Sequence, residues 1–495
     1  MGIVQKQTLK GLIYSYTGVL VGFLNMGILA PNIFSPEQIG LKQVIYSIAI
    51  LLGQVGNLGF VEMSNRIFPW FRDSRNDNRG FFGLGLIITA AGTLFVVVLL
   101  LLNLDHVVAS QTERSLLLEE HSGLIPLMLI LIIWVTFFDN YVKVQFNAAL
   151  GTLLRDLVVR IVNLLLIILF FSGVITFDAY MLLYVINQGL PSIVVLLIYL
   201  GRRGELAPGR FWLFVDRKMA RQLLSLSAYG LVTGISAVAL YALDKVLVNY
   251  YIGLEMAGIY TISFYFGTII MIPGRSLAKI AIPVAADAWK RNDLFTIGDL
   301  YRRSCLNQVV VGSLLVTGIV ANLDNIYRIL PEAYAGGGAV IVLISISNFI
   351  NNATGASVSI LGTSAYYHYH TWLMLLLTIL VVAANALLIP VMGLTGAALA
   401  SVIAVVITSG LRVFIIYRKT GLWPYGWSVA AIIIISALIY AGSLLIPSMP
   451  LIPDIVLRSG VITLIFGAAI YYFRLSDDIR LIIDQAVAFI RERTG

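Results

Sequence analysis

The chain has 495 residues, 59% of them hydrophobic and only 12% charged, with a mean hydropathy of +0.93 and a formal net charge of +8. Such hydropathy excludes a water-soluble globular protein and points to a polytopic membrane protein. The single cysteine, Cys305, excludes an intramolecular disulfide, and basic loops beside anionic lipid account for the net charge without a nucleic-acid partner.

A bilayer core of about 30 Å needs roughly 20 apolar residues per crossing helix, and about fourteen runs meet that length. They fall near 11–33, 41–68, 81–103, 123–143, 152–173, 178–200, 222–250, 257–286, 304–323, 336–362, 370–389, 393–417, 427–446 and 455–473. Runs of this length without alternation give an all-α integral membrane protein rather than a barrel, since lipid offers backbone groups no partners. The first run is long and lacks a small-residue cleavage pattern, so no cleavable signal is expected.

The first expected turn is LNMGILAPNIFSPEQIG, residues 24–40, where Pro31, Asn32, Ser35 and Pro36 stop one apolar run before the next begins. Span two carries GQVGNLG at 53–59, which places Gln54 and Asn57 near its middle and Glu62 and Arg66 toward its far end. Glu62 and Arg66 are spaced to pair along a helix, as are Asp139 and Lys143 in span four. After span six, GRRGELAPGRFWLFVDRKMAR at 201–221 is basic and aromatic and reads as an interfacial linker.

Adding 218 carries Glu37 to Glu255, Gly40 to Gly258, Gly56 to Gly274, and Phe71-Arg72 to Trp289-Lys290. Two apolar runs and the basic loop after them keep register across that offset, which predicts two parallel six-helix repeats. The expected organisation is an N-lobe over 1–200, the linker over 201–221 and a C-lobe over 222–417. Two further helices follow over 418–475, with a tail over 476–495. Gly18/Gly22 and Gly230/Gly234 supply GxxxG pairs in the first span of each lobe, suited to close packing.

In the second lobe, Asp244 and Lys245 adjoin in span seven and do not face one another. Span eight contains IPGRSLAK at 272–279, where Pro273-Gly274 is expected to interrupt the helix beside Arg275, with Lys279 on the same face. An arginine at that depth is a functional hypothesis by default, against the plainer reading of a snorkelling anchor. Asn348, Asn351, Asn352 and Thr354 make span ten polar, which suits either a substrate path or helix-to-helix hydrogen bonds. His368 and His370 lack acidic or cysteine neighbours, so no metal site is expected there. Residues 477–493 have helical spacing of apolar positions and are expected to form an amphipathic surface helix.

All but five of the 33 Lys and Arg fall on one side when the connections alternate; Lys42, Arg114, Lys245, Arg328 and Arg458 are the exceptions. That side is assigned to the cytoplasm, with both termini inside. No GxxxxGK[ST], HExxH or GxSxG motif is present, which argues against nucleotide hydrolysis by a P-loop and against those hydrolytic chemistries. A membrane-embedded glycan transferase or polymerase would need catalytic residues in outer loops, and none stands out; a transport-inactive scaffold is a further alternative.

The turn LAPNIFSPEQIG, the segment LDKVLVNYYIGLEMAGIY at 243–260 and NALLIPVMGLTGAALAS at 385–401 resemble the polysaccharide exporters of the multidrug/oligosaccharidyl-lipid/polysaccharide flippase superfamily. Within it the chain is most similar to O-antigen and exopolysaccharide repeat-unit flippases. The resemblance implies export of undecaprenyl-pyrophosphate-linked oligosaccharides across a bacterial inner membrane by alternating access between two lobes. It also implies membrane lipids and a polysaccharide polymerase machinery as partners and no enzyme activity. A pyrophosphate entering low dielectric calls for guanidinium and ammonium groups, so Arg275, Lys279 and Arg66 are its expected ligands, while Gln54, Asn57, Glu62, Asn348 and Asn352 would line a polar cavity. Lipid II flippases and multidrug exporters are the alternatives within the superfamily. Span one lacks the acidic residue common in multidrug relatives. By resemblance to lipid II flippases, Asp244 with Asn385 would couple transport to H+ or Na+; no cofactor is expected.

Overall fold

The apolar runs fold as helices because each must satisfy its own backbone hydrogen bonds in lipid. The computed structural model describes residues 3–73, 77–108, 115–145, 148–200, 209–481 and 484–485, and among these there is no strand. The chain divides into two compact units, Met1–Thr261 and Ile262–Gly495.

In the first unit, α1 (Ile3–Phe23) passes through a π turn, Leu24–Leu29, into α2 (Ala30–Ile33). The sharp turn that follows is a capping box opening α3 (Pro36–Gly56). Ser35 Oγ accepts from the Gln38 N–H at 3.2 Å, the Gln38 side chain accepts from the Ser35 N–H at 3.1 Å, and Pro36 occupies the first helical position. After α4 (Phe60–Phe71) come α5 (Phe81–Leu102), the short α6 (Leu104–Val108) and α7 (Leu116–Glu120), and then α8 (Leu124–Val144). The turn α9 (Ala148–Thr152) and a second π segment, Leu153–Val158, lead into α10 (Val159–Phe171), followed by α11 (Phe177–Leu200). Helix α12 (Arg217–Ile252) is capped by Asp216, whose carboxylate accepts from the Met219 N–H at 2.7 Å. It begins five residues earlier than its apolar run suggests, because the cap rather than hydropathy sets the start.

Sequence symmetry assigns α12 to the second lobe, yet it packs on α3 and α4 and falls in the first unit. A Cβ on Gly230 would lie 2.7 Å from the Gly59 carbonyl oxygen and one on Gly234 2.9 Å from Gln54 Oε1. In the first span a Cβ on Gly18 would lie 2.0 Å from the Asp156 carbonyl oxygen. These three members of the two GxxxG pairs are close-packing positions.

The repeat offset is visible at one contact. At the start of α13 (Leu254–Thr268), Gly258 packs on Gly40 of α3. A Cβ on Gly40 would sit 2.0 Å from the Leu254 carbonyl oxygen and 3.1 Å from the Gly258 nitrogen. A Cβ on Gly258 would sit 1.8 Å from the Pro36 carbonyl oxygen and 3.1 Å from the Gly40 nitrogen. Since 36 + 218 = 254 and 40 + 218 = 258, the two halves of this contact exchange under the offset, which is what a two-fold relation requires.

The second unit holds the rest of α13, then α14 (Met271–Lys290), α15 (Leu294–Ala321), α16 (Leu323–Ile329), α17 (Gly338–Ala353) and α18 (Ser357–Thr363). Helix α19 (Tyr367–Thr420) would be about 80 Å long if straight. It is folded instead: Gly393 takes φ 58° and ψ −134°, and a Cβ on Gly396 would lie 2.2 Å from the Leu388 carbonyl oxygen. The runs expected at 370–389 and 393–417 are its two limbs. The chain continues into α20 (Trp427–Ser443) and α21 (Leu451–Tyr472).

Among the described residues ten helices are long and apolar enough to cross a membrane, counting α19 once, or eleven with the pair α13–α14, bent by 55°. That bend corrects the expected interruption at Pro273-Gly274. The helix breaks at Ile269–Ile270, and Pro273 sits in the first turn of α14, where its missing N–H removes no bond. Of the linker, 201–208 lie outside the described residues. Of the expected tail helix 477–493, residues 477–481 and 484–485 are helical and the rest lie outside the described residues.

Candidate functional site

In the first unit, α3 ends where Leu58 and Gly59 adopt positive φ, 48° and 71°. Gly59 is required there twice over, because a Cβ would also lie 1.9 Å from the Ser227 carbonyl oxygen. Asn57 is buried at this break and donates from Nδ2 to the Gly53 carbonyl at 2.8 Å, so it closes the helix end. Gln54 is half-buried beside α12, while Glu62 and Arg66 are exposed on α4. Among the described residues Glu62 makes no ion pair, and the i,i+4 pair expected with Arg66 does not form.

Asp139 and Lys143 do pair, at 2.6 Å, and the tertiary structure adds Arg155, 3.1 Å from the same carboxylate oxygen. Arg155 also lies 3.8 Å from Asp156, which accepts from Ser15 Oγ at 3.0 Å. Arg160 donates to the Gly18 carbonyl at 2.5 Å and Asn25 donates to the Arg160 carbonyl at 2.8 Å. This network ties the π turn of the first span to the π segment at Leu153–Val158. Arg155, Asp156 and Arg160 escaped the sequence reading, although three charges within six residues of an apolar run are a signal in themselves.

Asp244 is fully buried and accepts from the Tyr260 hydroxyl at 2.8 Å. Lys245, also buried, sends its ammonium to the Tyr241 carbonyl rather than to Asp244, as adjacency on a helix requires. Both side chains therefore bond to other groups of the protein rather than to each other.

In the second unit the broken end of α13 is held from a neighbouring helix. Asn348 donates to the Gly267 carbonyl at 3.0 Å and Asn352 to the Ile270 carbonyl at 2.6 Å, both amides buried. These asparagines satisfy carbonyls freed by the bend. Asn352 also packs on Gly274, where a Cβ would lie 2.5 Å from its Oδ1. The α14 that follows presents Arg275 and Lys279, both exposed and one helical turn apart. Among the described residues neither has an acidic partner. Asn385 is fully buried in α19 and donates to the Val381 carbonyl at 2.8 Å.

Chemically, the face of α14 is cationic and unneutralised one turn after a helix N-terminus, an arrangement that favours anions twice over. No group of three or more His, Cys, Asp or Glu among the described residues could hold a metal ion.

Solved structures share this architecture. The lipid II flippase MurJ in an inward closed conformation superposes with a TM-score of 0.70 at 12% identity, over 95% of this chain and 99% of its own. An inward-facing multidrug resistance MATE family transporter of the MOP superfamily gives 0.64 at 10% identity, over 83% of this chain and 98% of its own. A MOP-superfamily transporter from Pyrococcus furiosus, with a binding pocket of reverse polarity, gives 0.58 at 14% identity, over 85% and 96%. The chain has the fold of the MOP-superfamily transporters. No protein-family model matches it, and no curated protein does. At these identities the likeness defines the fold, and the cargo has to be argued from the chain's own residues.

Proposed function

We propose that this protein is a flippase that moves undecaprenyl-pyrophosphate-linked oligosaccharide repeat units from the cytoplasmic to the outer leaflet of a bacterial inner membrane by alternating access. The observation that carries the reading is the face of α14: Arg275 and Lys279, exposed, four residues apart and without an acidic partner among the described residues, just past a helix break. A pyrophosphate brings at least two negative charges into low dielectric, and a guanidinium fork with an adjacent ammonium offsets much of that cost. Arg66, exposed on α4, is a further phosphate ligand, and Gln54 and Glu62 would meet the sugars. Asn57, Asn348 and Asn352, whose amides bond carbonyls at the helix breaks, are proposed as polar groups along the same path. Asp244 is proposed as the group through which H+ or Na+ drives the cycle, with Asn385 as a second ligand, because a buried carboxylate in a membrane helix is retained at a cost.

Lipid II is a second reading, favoured by the near-complete overlap with MurJ and sharing the same anionic headgroup. The test is transport of a lipid-linked oligosaccharide into proteoliposomes, with lipid II and an organic cation as competing cargoes. Arg275→Ala is expected to lower transport of the pyrophosphate cargo about a hundredfold with normal insertion, by loss of a charge-assisted contact. Wild-type transport by that variant, or transport of the organic cation alone, overturns the proposal; preference for lipid II selects the second reading.

A further inference from the structure

Lys42 of α3 is 3% exposed, and among the described residues no carboxylate pairs with it. Its ammonium donates only to the Met26 thioether and the Tyr180 hydroxyl, each at 3.4 Å. A thioether is a weak acceptor, and 3.4 Å is long for an N–H···O bond. Three rings enclose the charge, with centroids at 5.2 Å for Tyr184, 5.8 Å for Phe34 and 5.9 Å for Tyr180. Of the helices packed on α3, α5 carries no charged residue. Glu119 and Glu120 of α7, Asp139 and Lys143 of α8, and Asp244, Lys245 and the basic first turns of α12 lie too far away to act on Lys42. A buried cation held by rings alone is retained at a cost. A lysine can shed that cost by releasing its proton, which an arginine cannot do.

The surroundings supply a route for that proton within the first unit. At one surface His121 Nε2 lies 3.2 Å from Asp178 Oδ1, and Asp178 is three-quarters exposed. The Phe177 ring stands next, 5.7 Å from the imidazole and 6.3 Å from the Tyr180 ring. Tyr180 then joins Lys42 to Asn163, whose Oδ1 accepts from the Tyr180 hydroxyl at 3.3 Å. Beyond Lys42, Tyr184 lies beside Tyr46, and Tyr46 lies beside Arg155 and Arg160 of the Asp139 network. Lys143 and Arg155, on Asp139, are again partly exposed. Lys42 thus sits between two part-exposed titratable clusters, screened from one by Phe177 and from the other by Tyr184.

We propose that Lys42 is a second proton carrier of the transport cycle, loaded from the His121–Asp178 end through Tyr180 and unloaded past Tyr184 toward the Asp139 network. Loading forms one N–H bond on the neutral amine. Unloading breaks it and leaves the electron pair on Nζ. The inference rests on the transporter reading and sharpens it, since an amine takes up a proton and not Na+.

Solid-supported-membrane electrometry of proteoliposomes, stepped in pH without sodium or cargo, tests it. Cargo plays no part in this current, so failure of the flippase reading would leave it in place. Asp244→Asn, which removes the other proposed carrier, should keep a transient proton current, and adding either Lys42→Met or Lys42→Arg should abolish it. Methionine matches lysine in shape without the charge, and loss of an unpaired buried charge should leave the melting temperature unchanged or higher. Arginine keeps the charge but holds its proton. Tyr180→Phe keeps both the charge and the rings and should slow the current about a hundredfold, the scale of removing one group from a proton-transfer step. Absence of the current in Asp244→Asn alone, its survival in Lys42→Met, its rescue in Lys42→Arg or unchanged kinetics in Tyr180→Phe overturns the proposal.

Discussion

The helix breaks of the two repeats, at Asn57–Gly59 and at Ile269–Ile270, do related jobs by different means. In the first repeat the break closes on itself: Asn57 bonds Gly53 four residues back, and left-handed Leu58 and Gly59 make the bend. In the second it is closed from outside, by Asn348 and Asn352 of α17 bonding the Gly267 and Ile270 carbonyls. The offset would carry Leu58 to residue 58 + 218 = 276, so the second break lies about six residues earlier than symmetry places it. That displacement puts Arg275 and Lys279 on a fresh helix start. The corresponding stretch of the first repeat begins α4, with Glu62 one turn before Arg66. Shared architecture with divergent breaks leaves the start of α4 with mixed charge and the start of α14 with Arg275 and Lys279 alone.

The largest expected effect tests the symmetry on which the comparison rests. Gly40→Leu and Gly258→Leu each drive a side chain into backbone across the repeat contact, so each should destabilise by about 3 kcal/mol or prevent insertion. Thermal melting of the detergent-solubilised protein measures this. Similar losses are expected from both, and a large loss from one with none from the other would deny their equivalence.

Next comes the difference between the breaks. Asn352→Ala strips a buried carbonyl of a donor from another helix and should cost about 2 kcal/mol, while Asn57→Ala removes a local bond and should cost about 1 kcal/mol. Chemical denaturation of the two variants side by side decides the order, and a reversed order would show that the first break is the more dependent one.

Asp244→Asn keeps a group able to accept from Tyr260 and should leave folding unchanged. Transport driven by an imposed proton or sodium gradient is expected to fall about tenfold, a coupling change of about 1.4 kcal/mol. If the rate and its response to both gradients match the wild type, Asp244 has only a structural part. The smallest effect is at Glu62, which lacks an ion pair among the described residues: Glu62→Gln should shift stability by less than about 0.5 kcal/mol. A larger loss in a melting experiment would mean that the two repeats differ less in electrostatics than their side chains suggest.

The sequence by itself determined the class and much of the plan. Apolar run length dictates helices in lipid, Ser35-Pro36 with Gln38 dictates the first turn, and the 218-residue offset foretold the Gly40–Gly258 relation. The pairing of Asp139 with Lys143 was legible too, because four residues along a helix fixes their separation whatever surrounds them. Tertiary structure alone decided the rest. It moved the second break upstream of Pro273, brought Arg155 to Asp139 from 16 residues away and turned Asn348 and Asn352 toward carbonyls; it also buried Arg412 beside hydroxyls. The reason is physical: a polar side chain in an apolar run has the same local signature whether it faces a neighbour's backbone, an ion pair or a cargo. Only the packing of other helices around it fixes which of these it meets.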